Sequence, residues 1–271
     1  MGEVNVAAGR PERNLSALSV TGALLSAQIG QLITARKTWA LLGIQGLMIA
    51  VAIVALARDE YLDGLTLFRN IIENATFPFV IPLVALFFGG PTIVDEMEGR
   101  TLTYLTLRPI PKSMLYLGKL AGAVFVGSLV LMVPTLVLYT VCVFGGGDPG
   151  ATAGLIMRML AACALGVATY SVLFAALGAL FARSMLAGIV YFLIFEIVFA
   201  ALPILEFASV RFHLRIVAGF AKEVSENMLL KMLFQDAKDP PMWIGLLVCV
   251  LFFVVFTAFG TVVFRTRQYD V

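Results

Sequence analysis

The side chains in this sequence that could do chemistry are few and scattered. There is one histidine, His213, and there are three cysteines, Cys142, Cys163 and Cys249, each alone in an apolar run with no CxxC or Cys/His spacing. The patterns that support hydrolysis or group transfer inside a membrane do not occur: there is no HExxH, no DDxxD and no pair of intramembrane aspartates. A nucleotide-binding loop needs G-x-x-x-x-G-K-[ST], because its amides cradle phosphates and its hydroxyl holds magnesium. The one Gly-Lys step, Gly118-Lys119, is followed by Leu120, so the chain is expected to hold neither ATP nor a metal of its own and not to be an enzyme. Two other places draw the eye. "IVDEMEGRTLTYLTLRPIPKSMLYLGK", Ile93 to Lys119, sets three acids, four bases and a Pro-x-Pro between two apolar runs, and "YFLIFEIVFA" carries Glu196 in the middle of another.

The elements that must position these residues follow from composition. With 61% apolar residues, 13% charged and a mean hydropathy of +0.98, the 271-residue chain lies outside the soluble range. The apolar residues come in blocks of about 20 or more, which selects spanning helices over the alternating strands of a barrel. The expected fold is an all-α membrane protein with six transmembrane helices, roughly Thr38 to Ala57, Asn74 to Val94, Leu115 to Phe144, Ala151 to Ala182, Met185 to Leu205 and Trp243 to Phe264. Residues 1–16 read as a polar tail without the apolar core of a signal peptide, and 17–271 as one membrane domain. Six spans put both termini on one side. Eleven Lys and Arg fall on the terminal side against seven opposite, so the positive-inside rule predicts cytoplasmic termini in the plasma (inner) membrane. A net charge of +2 gives no reason to expect nucleic acid.

Two segments look helical without spanning. Leu18, Leu25, Ile29, Leu32 and Ile33 recur at near-helical spacing with Gln28, Gln31 and Arg36 around them, which predicts an N-terminal elbow helix over 17–37, lying in the interface and turning into the bilayer at Arg36, Lys37 and Trp39. Between the last two runs, the extracytoplasmic segment 206–242 places Val217, Phe220, Val224 and Met228 on one face and Lys222, Glu223, Ser225 and Glu226 opposite. That predicts an amphipathic helix capping the bundle and ended by Pro240 and Pro241.

The charged segment 95–114 falls on the cytoplasmic side in this topology. Leu102, Tyr104 and Leu105 give it an apolar side, and Pro109 and Pro111 stop it, so it reads as a short helix pinned between two spans: a lever for any partner that grips it. Here the chain resembles the type 2 ATP-binding-cassette (ABC) transporter permeases. "DEMEGRTLTYLTLRPIPKSMLYLGK" is similar to that family's signature between its second and third spans, and "LSAQIGQLITARKTWALLG" to its elbow helix. Arg100 departs from the pattern by separating Gly99 from Thr101. The resemblance implies a half-transporter in which Glu96, Glu98, Gly99, Arg100, Thr101, Leu102, Leu105, Arg108 and Pro109 form a coupling helix docked on a separate cytoplasmic ABC ATPase subunit. Two such ATPases, which bind the ATP and magnesium, and a second permease copy, most simply as a homodimer, complete the assembly it implies.

Inside the spans, Glu196 with Phe192 and Phe199 makes an i, i+4, i+7 stripe, and Phe79 joins it as a candidate substrate pathway. A central charge costs about 2.5–3.5 kcal/mol on insertion scales, so Glu196 faces the bundle or a wet cavity, either lining a route or protonated and bonded to a neighbouring helix. On either reading, Glu196→Leu is expected to leave folding intact. Arg158 lies roughly 18 Å from Glu196 in depth at 1.5 Å per residue, too far to pair, and is expected to snorkel to the interface. Pro78, Pro82 and Gly89-Gly90-Pro91 are expected to let the second run bend.

The leading expectation is therefore a permease that exports a substrate through lipid-contacting spans. A mechanical transducer is the alternative: it would pass ATPase motion to an extracytoplasmic accessory protein on the 206–242 segment without moving a substrate. The sequence does not name the substrate.

Overall fold

The chain enters its first long helix at a break in the backbone. Residues 29–34 are helical, Ala35 is extended, and helix α1 (Arg36–Arg58) starts immediately after it, with the Thr38 amide bonded to the Ala35 carbonyl. The computed structural model describes residues 26, 29–59, 61–91, 112–144, 149–181, 184–198, 202, 206–220 and 241–266. All regular elements among these are helical. Most of the expected elbow, 17–37, lies outside the described residues, as does the coupling segment from residue 95 as far as residue 111.

Helix α2 spans Gly64–Gly89. It begins ten residues before the expected Asn74, because the Asp63 carboxylate caps it by accepting from the Leu65 and Thr66 amides and the Thr66 hydroxyl. Its middle, Ile72–Val80, is π-helical, with the Ile81 amide reaching back to the Thr76 carbonyl. Pro78 and Pro82 explain this. Each lacks an N–H and crowds the carbonyl four residues back, and widening to i→i+5 pairing relieves both without breaking the helix. The expected bend is thus absorbed as a change of helical register.

Helices α3 (Lys112–Phe144) and α4 (Pro149–Leu180) form the next hairpin, and α4 is the hub against which α2, α3 and most later elements pack. At Gly89 the α2 backbone passes so close to α4 that a Cβ there would lie 2.6 Å from the Ser171 carbonyl oxygen. Small residues permit this approach where lipid supplies no hydrophobic drive. Windows of α2 and α4 are 67% buried, whereas those of α1 and of α7 (Met242–Thr266) are 17% and 11% buried, so the last two present Leu47, Val51, Val250 and Val254 outward. Five helices are long and apolar enough to cross a membrane, and this is a multi-pass membrane protein.

Of the fifth expected span, Met185 to Leu205, the described residues run to Val198 and include Leu202. Helix α5 (Ser184–Tyr191) continues as a π-helical stretch, Phe192–Val198, so the described apolar helix Met185–Val198 is about 21 Å long, short of a ~30 Å hydrocarbon core. A single 3₁₀ turn, Glu206–Ala208, then leads into α6 (Val210–Ala218). Helix α6 is not a lid on the bundle. Val210, Phe212, Leu214, Ile216 and Val217 are all buried, and the helix packs between α4 and α7. A Cβ on Gly245 of α7 would lie 2.6 Å from the His213 carbonyl oxygen. Helix α6 stops at Gly219, whose φ of 89° suits glycine, so a single helix running on through it is ruled out, while most of the expected amphipathic segment lies outside the described residues. There the Phe220 amide bonds the Arg215 carbonyl and the Gly219 amide bonds that of Ile216, a Schellman termination. Val224, Met228 and the predicted polar face from Lys222 to Glu226 lie outside the described residues.

Candidate functional site

Helix α4 serves as a ruler for what surrounds α6. Gly219 lies beside Arg158, Leu214 against Gly166, and the start of α6 beside Glu196 and Tyr170. Helix α6 therefore begins deep in the bundle and runs back toward the end where α4 starts. Arg158, as its separation predicts, stands near the opposite end of α6 from Glu196.

Glu196 sits in the π-helical stretch of α5, 3% exposed, and its Oε2 accepts from the Ser209 hydroxyl at 2.6 Å. Ser209 is the N-cap residue of α6 yet makes no capping bond to its own helix. Its hydroxyl instead ties that terminus to the Glu196 carboxyl of α5. Tyr170 of α4 stands beside the same carboxylate without a formed hydrogen bond. One turn further along α6, Arg215 meets Glu73 of the α2 π-helical stretch at 2.6 Å and Glu206 of the 3₁₀ turn at 3.2 Å. Arg211 lies one turn before it on the same face, with Glu196, Glu206 and Glu73 around it. The π-helical stretches of α2 and α5 each carry one buried glutamate, and both glutamates reach α6.

In an apolar bundle such charges persist only when paired, and the loss of one partner costs far more than the pair contributes. The cluster therefore fixes the position of α6 relative to α2 and α5. No group of three or more side chains that could hold a metal ion is found among the described residues.

The structure brings two of the predicted pathway residues together: the Phe79 and Phe192 rings lie 6.2 Å apart, tilted, with Phe79 half exposed on the flank of the subunit. Glu196 is buried against Ser209, and Phe192, on the same stretch, is half-buried beside Phe79. Phe199 and the coupling residues Glu96, Glu98, Gly99, Arg100, Thr101, Leu102, Leu105, Arg108 and Pro109 lie outside the described residues. Val217 and Phe220, the face that a transducer would offer an outer partner, are buried, with Phe220 edge-on to Phe77 at 6.0 Å.

Sequence reasoning passed over Glu73, Glu206, Arg211 and Arg215. The four-residue spacing of Arg211 and Arg215 was a usable signal, since it puts two guanidiniums on one face of a helix.

In comparisons with known proteins, the family model described as ABC-2 family transporter protein matches residues 34–200, from the turn before α1 to just past α5. No curated protein matches the chain.

Proposed function

The chain belongs to the ABC-2 transporter family as a membrane permease subunit, and on that premise we propose that it forms, with a second copy, the pathway of an ATP-driven exporter. The observation that carries this is the family match over more than half of the chain, which includes the charged 95–114 segment. In this reading, Glu96 to Pro109 dock on a cytoplasmic ATPase that supplies ATP and magnesium, one ATPase per permease. Two permeases related by a twofold axis are the simplest closed arrangement. Both termini face the cytoplasm, residues 17–37 form the elbow, and 206–242 reaches the outer side. Phe79, Phe192, Phe199 and Glu196 border the route.

Burial of Val217 and Phe220 favours export over mechanical transduction, because the face that an accessory protein would need is already occupied. The test is co-expression with the ATPase. The pair should copurify and hydrolyse ATP, while Glu98→Lys, which reverses a docking charge, and Thr101→Pro, which breaks the short helix, should each lose the ATPase. Copurification and hydrolysis unchanged in both variants would remove the coupling argument.

A further inference from the structure

We propose that Arg215 is a positioning residue for transport: it latches α6 in its buried place, and the pathway opens only when α6 leaves Glu73. The inference rests on the export reading. Four observations lead to it. First, Arg215 grips two elements at once, Glu73 on α2 and Glu206 on the 3₁₀ turn, while α6 packs on α4 and α7 largely through buried apolar side chains and its other polar contacts, at Ser209 and Arg211, lie toward its start. Apolar surfaces slide at small cost, whereas a charge pair in a poorly polar setting has a definite made state and a definite broken one. Second, α6 is nine residues long with a non-helical residue at each end, extended Ser209 and left-handed Gly219, so it can move as one rigid piece. Third, Glu73 lies within the π-helical stretch of α2. Return of that stretch to α-helical pairing changes the register by one residue and turns everything before it by about 100° about the axis, carrying Glu73 away from Arg215. Fourth, the π-helical stretches of α2 and α5 touch each other through Phe79 and Phe192, so a change in one is felt by the other.

Making and breaking the latch therefore couples the register of α2 to the position of α6. When Arg215 is bound to Glu73, α6 fills the space between α4 and α7. When it is released, α6 withdraws toward the Gly219 end and the space opens.

The experiment uses the permease–ATPase complex in lipid nanodiscs, with Cys142, Cys163 and Cys249 replaced by alanine and cysteines placed by Gly166→Cys and Leu214→Cys. In the native chain a Cβ at Gly166 would lie 2.8 Å from Leu214 Cδ1, so this pair reports α6 in place. Disulfide formation under mild oxidation should be fast without nucleotide and fall about fivefold or more after trapping with Mg-ATP and vanadate, the scale of an ordinary conformational coupling. Glu73→Gln, which keeps shape and removes charge, and Arg215→Gln, which removes charge and shortens the side chain, should cross-link slowly even without nucleotide, and Arg215→Lys should lie between them and the parent. Equal rates with and without nucleotide in a complex that hydrolyses ATP overturn the latch, as do glutamine variants that behave like the parent. Failure of the parent pair to cross-link at all overturns the buried placement of α6 on which it depends. A permease that does not copurify with the ATPase overturns the proposed function instead.

Discussion

Pro134 stands inside the long helix α3, and the consequence of its missing N–H can be followed to a second helix. In an unbroken α-helix the amide of residue 134 would bond the carbonyl of Val130; proline leaves that carbonyl without a partner. The side chain of Gln45, on α1, fills the gap: its Nε2 donates to the Val130 oxygen at 2.9 Å, and both groups are buried. Replacing Gln45 by leucine keeps the volume and removes the donor. An orphaned buried carbonyl costs about 1–3 kcal/mol, while hydrogen bonds between membrane helices average about 0.6 and reach about 1.7 kcal/mol in double-mutant cycles. A loss of about 1–2 kcal/mol is therefore expected for Gln45→Leu. In a Pro134→Ala background, residue 134 regains an N–H that serves Val130, and Gln45→Leu should become nearly neutral. The check is reversible unfolding of the four proteins in mixed micelles, with a coupling of about 1 kcal/mol between the two sites as the expected result. An equal cost of Gln45→Leu in both backgrounds would refute the reasoning that proline creates the need that glutamine meets.

Asp63 should make the start of α2 sensitive to acid: the bond it accepts from the Thr66 hydroxyl holds its carboxyl below the ordinary value of 3.8, against the opposing effect of burial and with smaller help from the Leu65 and Thr66 amides and from Arg69. A lowered folded-state pKa stabilises above the unfolded value and loses that stabilisation as pH falls through the folded one, so hydrogen-exchange protection of the Leu65 and Thr66 amides should be flat from neutral pH to about 4 and decline below it. Asp63→Ala should remove the pH dependence and cost the cap, roughly 0.5–2 kcal/mol. Gly89→Ala should destabilise by about 1–3 kcal/mol in thermal unfolding, since the new methyl meets α4 backbone, which cannot yield as a side chain does. Gly46→Ala, where a Cβ meets nothing within 4 Å, is the matched control and should be neutral or slightly stabilising.

Glu196 shows how tertiary contact changes an expectation drawn from the chain alone. Taken by itself, a carboxyl in an apolar run is a burden, and leucine in its place should be tolerated. With the Ser209 hydroxyl donating to it at 2.6 Å at the start of α6, leucine strands a buried hydroxyl. The sign of the expected effect reverses, with nothing in the sequence "YFLIFEIVFA" to announce it.

The sequence by itself determined that the protein lies in a membrane and where most of its spans run, because a stretch of about twenty apolar residues is a property of consecutive positions and the bilayer tests it one helix at a time. It also determined that α2 could not be a regular α-helix throughout, since Pro78 and Pro82 act on their own backbone. It placed the start of the second span at Asn74, ten residues late. What only the tertiary structure decided is that Glu73 belongs inside, where Arg215 from the far half of the chain neutralises it. In the same way α6, the first part of the segment expected to cap the bundle, is buried with Glu73, Glu196 and Glu206 around its polar groups. The cost of a buried charge depends on the distance to its partner in space, and that distance is not written in the spacing of residues along the chain.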